Sequence, residues 1–238
     1  MTIKNFFIKT KDKILDTIFP DNITCLFCGR DVVEGDICPN CSKSEILNNG
    51  NRCVFCDSKI KEGNIVCDHC KTKQPKFQSC HCPFVYNEKT RSSILKLKSD
   101  SAKYLAKYFA KHIYDRLTTN KVEFDMIIPV PSHKKTIKKR GYNPAKVLAD
   151  ELSILSGKPV EDILVKTAIT KNQKFLNFEQ RQSNLENSIY ALNHSIIKGK
   201  SILIIDDIIT TGSTINACAS LLSKAKEIHA CAIARRNI

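Results

Sequence analysis

The sequence predicts an α/β protein in two parts: an N-terminal double ribbon built on metal, then a domain organised around a parallel sheet. Three observations carry this prediction. Four Cys-x-x-Cys pairs fall before residue 71. From residue 83 onward, short apolar runs alternate with helix-patterned segments, the rhythm of strands joined by crossover helices. One of these runs, Leu203-Ile204-Ile205, meets two acids and then a turn rich in hydroxyls and glycine, Asp206 to Thr214.

The first element, within residues 1–22, is an amphipathic helix. Ile3, Phe6, Phe7, Ile14, Leu15 and Ile18 recur near helical spacing among lysines, and Pro20 ends the pattern. Packing against the rest of the protein is its simplest role; contact with a membrane surface is the alternative. No stretch approaches the roughly 18 uninterrupted apolar residues of a membrane span. Lysines also interrupt Met1 to Lys13, where a signal peptide needs an apolar block. The chain is therefore expected in the cytoplasm, without membrane insertion.

Residues 23–79 form the double ribbon. The pairs are Cys25/Cys28, Cys38/Cys41, Cys53/Cys56 and Cys67/Cys70. Two thiolates separated by two residues on a tight knuckle reach one tetrahedral ion, so two pairs complete a closed four-cysteine site typical of structural Zn2+. Eight such ligands imply two ions. The linkers, nine residues from Cys28 to Cys38 and ten from Cys56 to Cys67, mark an internal repeat. Sequential sharing of the ions is the simplest arrangement, and interleaved sharing is open. Disulfides would need an oxidising compartment, which the cytoplasmic expectation argues against. Gly29, directly after Cys28, can take the positive φ that frees backbone N–H groups for the thiolates. Cys80-His81-Cys82 has a one-residue gap less suited to chelation; it reads as structural, or as an extra ligand set. Cys218 and Cys231 lie in apolar patterns, where cysteine is a small buried hydrophobe.

Charge separates the two parts. Residues 1–82 carry 12 basic and 10 acidic side chains, against 26 and 14 in residues 83–238. Eight thiolates around two Zn2+ turn the ribbon segment from a formal +2 to about −2. The basic excess therefore belongs to the C-terminal domain, residues 80–238, and polyanions are its expected partners.

In that domain Pro83–Asn87 reads as a strand. Ser101–Leu117 reads as a helix with Leu105, Phe109 and Ile113 on its apolar face and Lys103, Lys107 and Lys111 on another. The lysine row is either a solvated face or a track for a nucleic-acid backbone. Phe124–Val130, Ile163–Ile169, Ser201–Ile205 and Ile228–Ala234 read as strands; Pro144–Ser156 and Thr214–Ser223 read as helices. Ligands of such sheets bind beyond the carboxyl ends of the strands, where Pro129–Asn143 and Asp206–Thr214 both fall.

The second of these loops reads as a sugar-phosphate cradle. A strand ending at the acids would lead into a turn that opens a helix, whose free N–H groups and positive dipole end favour a phosphate. Thr210, Thr211, Ser213 and Thr214 add hydroxyl donors, and Asp206 and Asp207 can accept from vicinal ribose hydroxyls. The first loop holds His133, Lys134, Lys135, Lys138, Lys139 and Arg140-Gly141-Tyr142-Asn143. Its cations suit a diphosphate, arginine bidentately and lysine as a mobile charge. Tyr142 is the best candidate for base stacking, but a core or hinge role is the simpler reading. Thr170 to Leu176, with Arg181 and Asn184, reads as a flap.

The Asp206–Thr214 segment resembles the phosphoribosyl-pyrophosphate (PRPP) motif of type I phosphoribosyltransferases. Together with the cysteine pairs, the Val130-Pro131 segment with Arg-Gly-Tyr-Asn, and the Thr/Gln/Arg/Asn stretch, the whole chain resembles the ComF family of DNA-uptake (competence) proteins. The resemblance implies zinc ribbons followed by a type I phosphoribosyltransferase domain, and a role in handling imported single-stranded DNA during natural transformation. It implies Asp206 and Asp207 at the ribose hydroxyls, Thr210, Thr211, Gly212, Ser213 and Thr214 at the 5′-phosphate, and Lys96, Lys135 and Arg140 at the pyrophosphate. Mg2+ would accompany PRPP, and other competence proteins would be partners. The chain departs from the family pattern at Pro144, where glutamine is usual, and at Lys98-Ser99-Asp100, in place of a glycine-containing turn. No glutaminase domain is present, and no cysteine follows Met1. Two functions follow: a competence protein that retains the cradle for binding, or a phosphoribosyltransferase acting on a small-molecule acceptor.

Overall fold

The strands β1 (Ser79–His81), β2 (Phe84–Val85), β3 (Met126–Pro129), β6 (Ser201–Ile209) and β7 (Glu227–Arg235) form one sheet in the order β1-β7-β6-β3, with β2 continuing the β1 edge. Every pairing in it is parallel. The two central strands are continuous apolar runs, as expected of strands covered on both faces. This computed structural model describes residues 24–33, 35–42, 46–99, 102–166, 188–192 and 195–236. The helix expected within residues 1–22 and the flap expected over 170–184 lie outside the described residues.

Around the sheet lie α3 (Glu88–Leu97), α4 (Leu105–Thr119), α5 (Lys134–Arg140), α6 (Pro144–Ser156) and α7 (Ser213–Leu221). Met126, Ile128, Ile202, Ile204, Ala230 and Ala232 pack in one cluster with Ile215, Cys218 and Leu222 of α7 and its C-terminal turn. Strand alternation sends Ile127, Leu203 and Ile205 to the other face, where α4 and α6 cover the sheet. Cys231 is fully buried in β7. Cys218 and Cys231 are thus core residues, as their apolar patterns suggest.

Several elements differ from expectation. Ser201–Ile205 extends to Ile209, carrying the acids inside the strand, because β7 supplies partners as far as Arg235. Ile163–Ile169 is not a strand of the main sheet: β4 (Leu164–Lys166) pairs antiparallel with β5 (Ile189–Ala191) as a separate hairpin. The α3 helix was not legible by periodicity. Its start is a capping box, with Asn87 Oδ1 accepting from the Thr90 N–H at 3.0 Å and Thr90 Oγ1 accepting from the Asn87 N–H at 2.8 Å.

The chain divides into two units, Met1–Ser44 and Glu45–Ile238. The first holds the first ribbon, with α1 (Pro39–Ser42); the second holds the other ribbon, with α2 (Asp68–Thr72), and the sheet. The two ribbons repeat the same local geometry. In each, a bridge closes the first knuckle, Thr24 to Asp31 and Arg52 to Lys59. Cys25 N–H donates to Arg30 O at 2.6 Å and Cys53 N–H to Ser58 O at 2.9 Å. The left-handed position after the second cysteine is Gly29 (φ 72°) in one and Asp57 (φ 59°) in the other.

Candidate functional site

The candidate site lies at the carboxyl ends of two neighbouring strands. Pro129 of β3 pairs with Ile205 of β6, and Val130 N–H donates to Ile205 O at 2.9 Å. The chain leaving β3 therefore starts beside the residue that precedes Asp206.

Asp206 and Asp207 are partly buried. Asp206 Oδ1 accepts from the Asp207 N–H at 2.8 Å. Burial pushes the Asp206 carboxyl up to about 7, and the neighbouring Asp207 charge adds to the shift; the Asp207 N–H, Lys98 and Lys166 oppose it. Asp207 forms an ion pair with Lys98, Oδ1 to Nζ 2.9 Å. Thr210 and Thr211 then lead to Gly212, whose φ of +81° makes the turn into α7. Thr211 Oγ1 lies 2.8 Å from Ser213 Oγ and accepts from the Ser213 N–H at 3.2 Å. Gly212, at the N-cap, offers α7 no side chain, so Thr211 Oγ1 on the Ser213 N–H is the side-chain acceptor seen at this helix start among the described residues. Acids, hydroxyls and a helix start are thus gathered in nine residues. Chemically, such a turn can hold an anion next to groups that accept from vicinal hydroxyls.

The cationic loop is helical rather than irregular. His133 Nδ1 accepts from the Lys135 N–H at 3.1 Å, opening α5, and Gly141 at φ 88° closes it with its N–H on Ile137 O. Lys134, Lys135, Lys138, Lys139 and Arg140 all lie on this helix, which buries no residue. His133 is thus a helix cap.

Tyr142 is not a stacking surface. It is buried, and its hydroxyl reaches the Leu97 and Ser99 carbonyls, the latter at 2.9 Å. Lys103 Nζ sits 4.6 Å from the ring centroid. Asn143 Nδ2 donates to Val130 O at 2.9 Å, and its Oδ1 accepts from Ser132 Oγ at 2.8 Å. The Arg-Gly-Tyr-Asn segment therefore ties the end of β3 to the turn that carries Lys98. Lys96 is exposed in the last turn of α3, and Lys98, two residues on, makes the contact with Asp207. Lys98 and Lys166 are the site cations that sequence reasoning missed. Lys98 did stand where the chain departs from the family pattern, whereas nothing in the sequence singled out Lys166.

The cysteines group sequentially, which resolves the open choice of pairing. The Sγ atoms of Cys25, Cys28, Cys38 and Cys41 lie within 4.8 Å of one another, as do those of Cys53, Cys56, Cys67 and Cys70. Cys28 to Cys38 and Cys56 to Cys67 each measure 3.6 Å between sulfurs. A tetrahedral zinc site with bonds of about 2.3 Å needs sulfurs about 3.8 Å apart, so both clusters fit that ion. Burial opposes ionisation of Cys25, yet N–H donors from Cys38, Cys28 and Phe27 bring its thiol down to about 6. In the same cluster burial pushes Cys41 up to about 12, so its proton would leave only for a cation. Cys80, His81 and Cys82 belong to neither cluster. Cys80 and Cys82 are buried in the sheet core, and His81 Nε2 lies 2.8 Å from Ser79 Oγ.

Residues 109–238 match the family described as phosphoribosyl transferase domain, and the chain belongs to that family. Across its length the chain is similar to competence and DNA-utilization proteins. It is 26% identical over 225 residues to Competence protein F of Haemophilus influenzae, covering 90% of this chain and 97% of that one. It is 27% identical over 206 residues to the DNA utilization protein YhgH of Escherichia coli, covering 83% and 89%. It is 28% identical over 189 residues to Competence protein ComFC of Streptococcus pneumoniae, covering 79% and 74%. These similarities, with the two four-cysteine clusters, support a competence-related protein of the ComF family, as the motifs implied. Among the described residues no helix is long and apolar enough to cross a membrane.

Proposed function

We propose that this chain is a ComF-type competence protein of the cytoplasm that binds PRPP or a related sugar phosphate at Asp206–Thr214 and handles single-stranded DNA. The observation that carries the reading is the left-handed turn at Gly212, which offers α7 no side-chain cap, on the same short segment as an acidic pair whose Asp207 is met by Lys98. Asp206 and Asp207 accept from the ribose hydroxyls. Thr210, Thr211, Gly212, Ser213 and Thr214 take the 5′-phosphate. Lys135 and Arg140 on α5, with Lys96, take the pyrophosphate. Bound Mg2+ would neutralise pyrophosphate charge, and the carboxylates of Asp206 and Asp207 are the hard oxygen donors suited to it or to its waters. The exposed lysines of α5 extend the same cationic surface toward a nucleic-acid backbone. Zn2+ ribbons serve as folding supports and as docking surfaces for other competence proteins.

Calorimetry on zinc-loaded protein with Mg2+, titrating PRPP and single-stranded DNA alone and in competition, tests this reading. Binding of PRPP that disappears in the double variant Asp206→Asn, Asp207→Asn is expected, and unchanged binding in that variant overturns the site. Competition between the ligands would put DNA in the same cleft.

A working transferase with a small-molecule acceptor is the second reading. It is favoured by Asp206, a partly buried carboxyl pushed up to about 7 beside the cradle. There the C1–pyrophosphate bond breaks as the acceptor attacks, and the protein orients reactants and stabilises charge. Release of pyrophosphate from PRPP in the presence of nucleobases would support it; PRPP recovered intact would leave binding alone.

A further inference from the structure

Arg235 is the last residue of β7 and only 4% exposed. Its Nε and Nη2 both donate to Ser58 Oγ, at 3.1 and 3.0 Å. Its Nη1 is buried with no hydrogen-bond partner, and no carboxylate pairs with the guanidinium among the described residues. A Cβ placed on Gly212 would meet that same Nη1 at 3.8 Å. A buried cation with one unsatisfied edge therefore lies directly against the backbone of the phosphate-type turn, and a buried cation of this kind calls for a nearby anion.

Ser58 belongs to the first knuckle of the second ribbon. Its carbonyl accepts from the Cys53 N–H at 2.9 Å, and its Oγ lies 3.2 Å from Cys56 Sγ. Were Cys56 a metal-bound thiolate it could only accept, and the Ser58 hydroxyl proton would then turn to sulfur and leave the oxygen lone pairs to Arg235. The same ribbon and turn wall a groove of about 580 Å³, lined by Ser58, Lys59, His69, Thr211 and Arg235.

We propose that Arg235 is a fixed positive charge beneath the phosphate turn, and that the second ribbon holds it there through Ser58, so that an intact Cys53/Cys56/Cys67/Cys70 cluster sets the affinity of the turn for a phosphate. Arg235 acts as a positioning residue with long-range charge. The glycine at 212 serves two ends, allowing the left-handed turn and the close approach of the guanidinium. This proposal rests on the reading of Asp206–Thr214 as a sugar-phosphate cradle.

The test uses the full zinc-loaded chain. Dissociation constants for PRPP with Mg2+ and for inorganic phosphate are measured for the unaltered protein, Ser58→Ala, Arg235→Lys, Arg235→Met and the pair Ser58→Ala, Arg235→Met. Weakening of about tenfold or more is expected for Arg235→Met and about threefold for Ser58→Ala, since the charge itself is lost in one and only its anchor in the other. Arg235→Lys should recover part of the loss, and Ser58→Ala should add nothing once Arg235 is Met, because both act through one group. Reciprocity requires that saturating PRPP slow zinc release to a chromogenic chelator, and that Ser58→Ala remove this protection. Affinities within twofold of the unaltered protein for both Ser58→Ala and Arg235→Met overturn the proposal, as does full additivity of the pair. If Arg235→Met does not fold, Ser58→Ala decides alone. An unaltered protein that binds neither ligand instead overturns the cradle reading on which the proposal stands.

Discussion

Asp206 works against the stability of the ligand-free protein. Its folded pKa, raised to about 7 by burial and by Asp207, lies above the unfolded value of about 3.9. Between those values the folded state holds a proton that the unfolded state has lost. Stability from this group therefore falls as pH rises from about 4 to about 7 and stays reduced above that. We predict that Asp206→Asn raises the melting temperature of the ligand-free protein at pH 8 by about 3 °C or more, and much less at pH 4.5. Differential scanning calorimetry at both pH values checks this, and an equal shift at the two would remove the carboxyl as its cause. Carrying a stability cost at a binding site is common where function needs a charge that burial disfavours.

At the scale of elements, the Arg-Gly-Tyr-Asn segment is a bracket. The Tyr142 hydroxyl bonds carbonyls on either side of Lys98, and Lys98 faces Asp207. Removing that hydroxyl takes away the proton the two carbonyls share and loosens the turn. Tyr142→Phe should cost about 1 kcal/mol of stability and weaken PRPP binding without touching the ligand itself, an outcome that urea denaturation and calorimetry together would show. The α5 helix is different, since it buries nothing and its lysines are exposed. Changing Lys134, Lys135, Lys138 and Lys139 to Ala should leave the fold intact. It should also flatten the salt dependence of single-stranded DNA binding by up to about 3 in the log–log slope. A slope that stays the same would place the DNA elsewhere.

Over the whole molecule, the two ribbons share a geometry but differ in one telling position. Gly29 of the first becomes Asp57 in the second, both left-handed. Asparagine, aspartate and glycine tolerate that conformation best, so the substitution keeps the knuckle and adds a side chain. Asp57 is buried and uses it: Oδ2 accepts from Asn48 Nδ2 at 2.8 Å and from the Cys82 N–H at 2.7 Å, and Oδ1 lies 3.5 Å from Arg116. The carboxylate thereby stitches the second ribbon to the residue that follows β1 and to α4. Asp57→Ala should destabilise the Glu45–Ile238 unit by about 3 kcal/mol, with a matching fall in melting temperature. Elemental analysis of the unaltered protein should find two zinc ions per chain, and chelation should unfold the ribbons, because small four-cysteine units take their folding free energy from the metal.

Much of this was legible in the sequence because it is local. A Cys-x-x-Cys knuckle, a glycine turn after an apolar run and a period of alternation each live within a dozen residues, and short-range geometry decides them. The α6 helix, Pro144–Ser156, appears with the predicted bounds, its proline at the first position and Gly157 past its end. By itself, then, the sequence determined the cysteine pairs that build the two clusters, the α/β class and the segment that forms the candidate cradle. Tertiary structure alone decided which cysteines stand close enough to share an ion, that the acids sit inside a longer strand, and that Lys98 meets Asp207. It also decided that Ser58 and Arg235, 177 residues apart, meet behind the turn. Those outcomes depend on which side chains the packed sheet brings within hydrogen-bond reach, and no local pattern encodes a distance between segments that only the closed core creates.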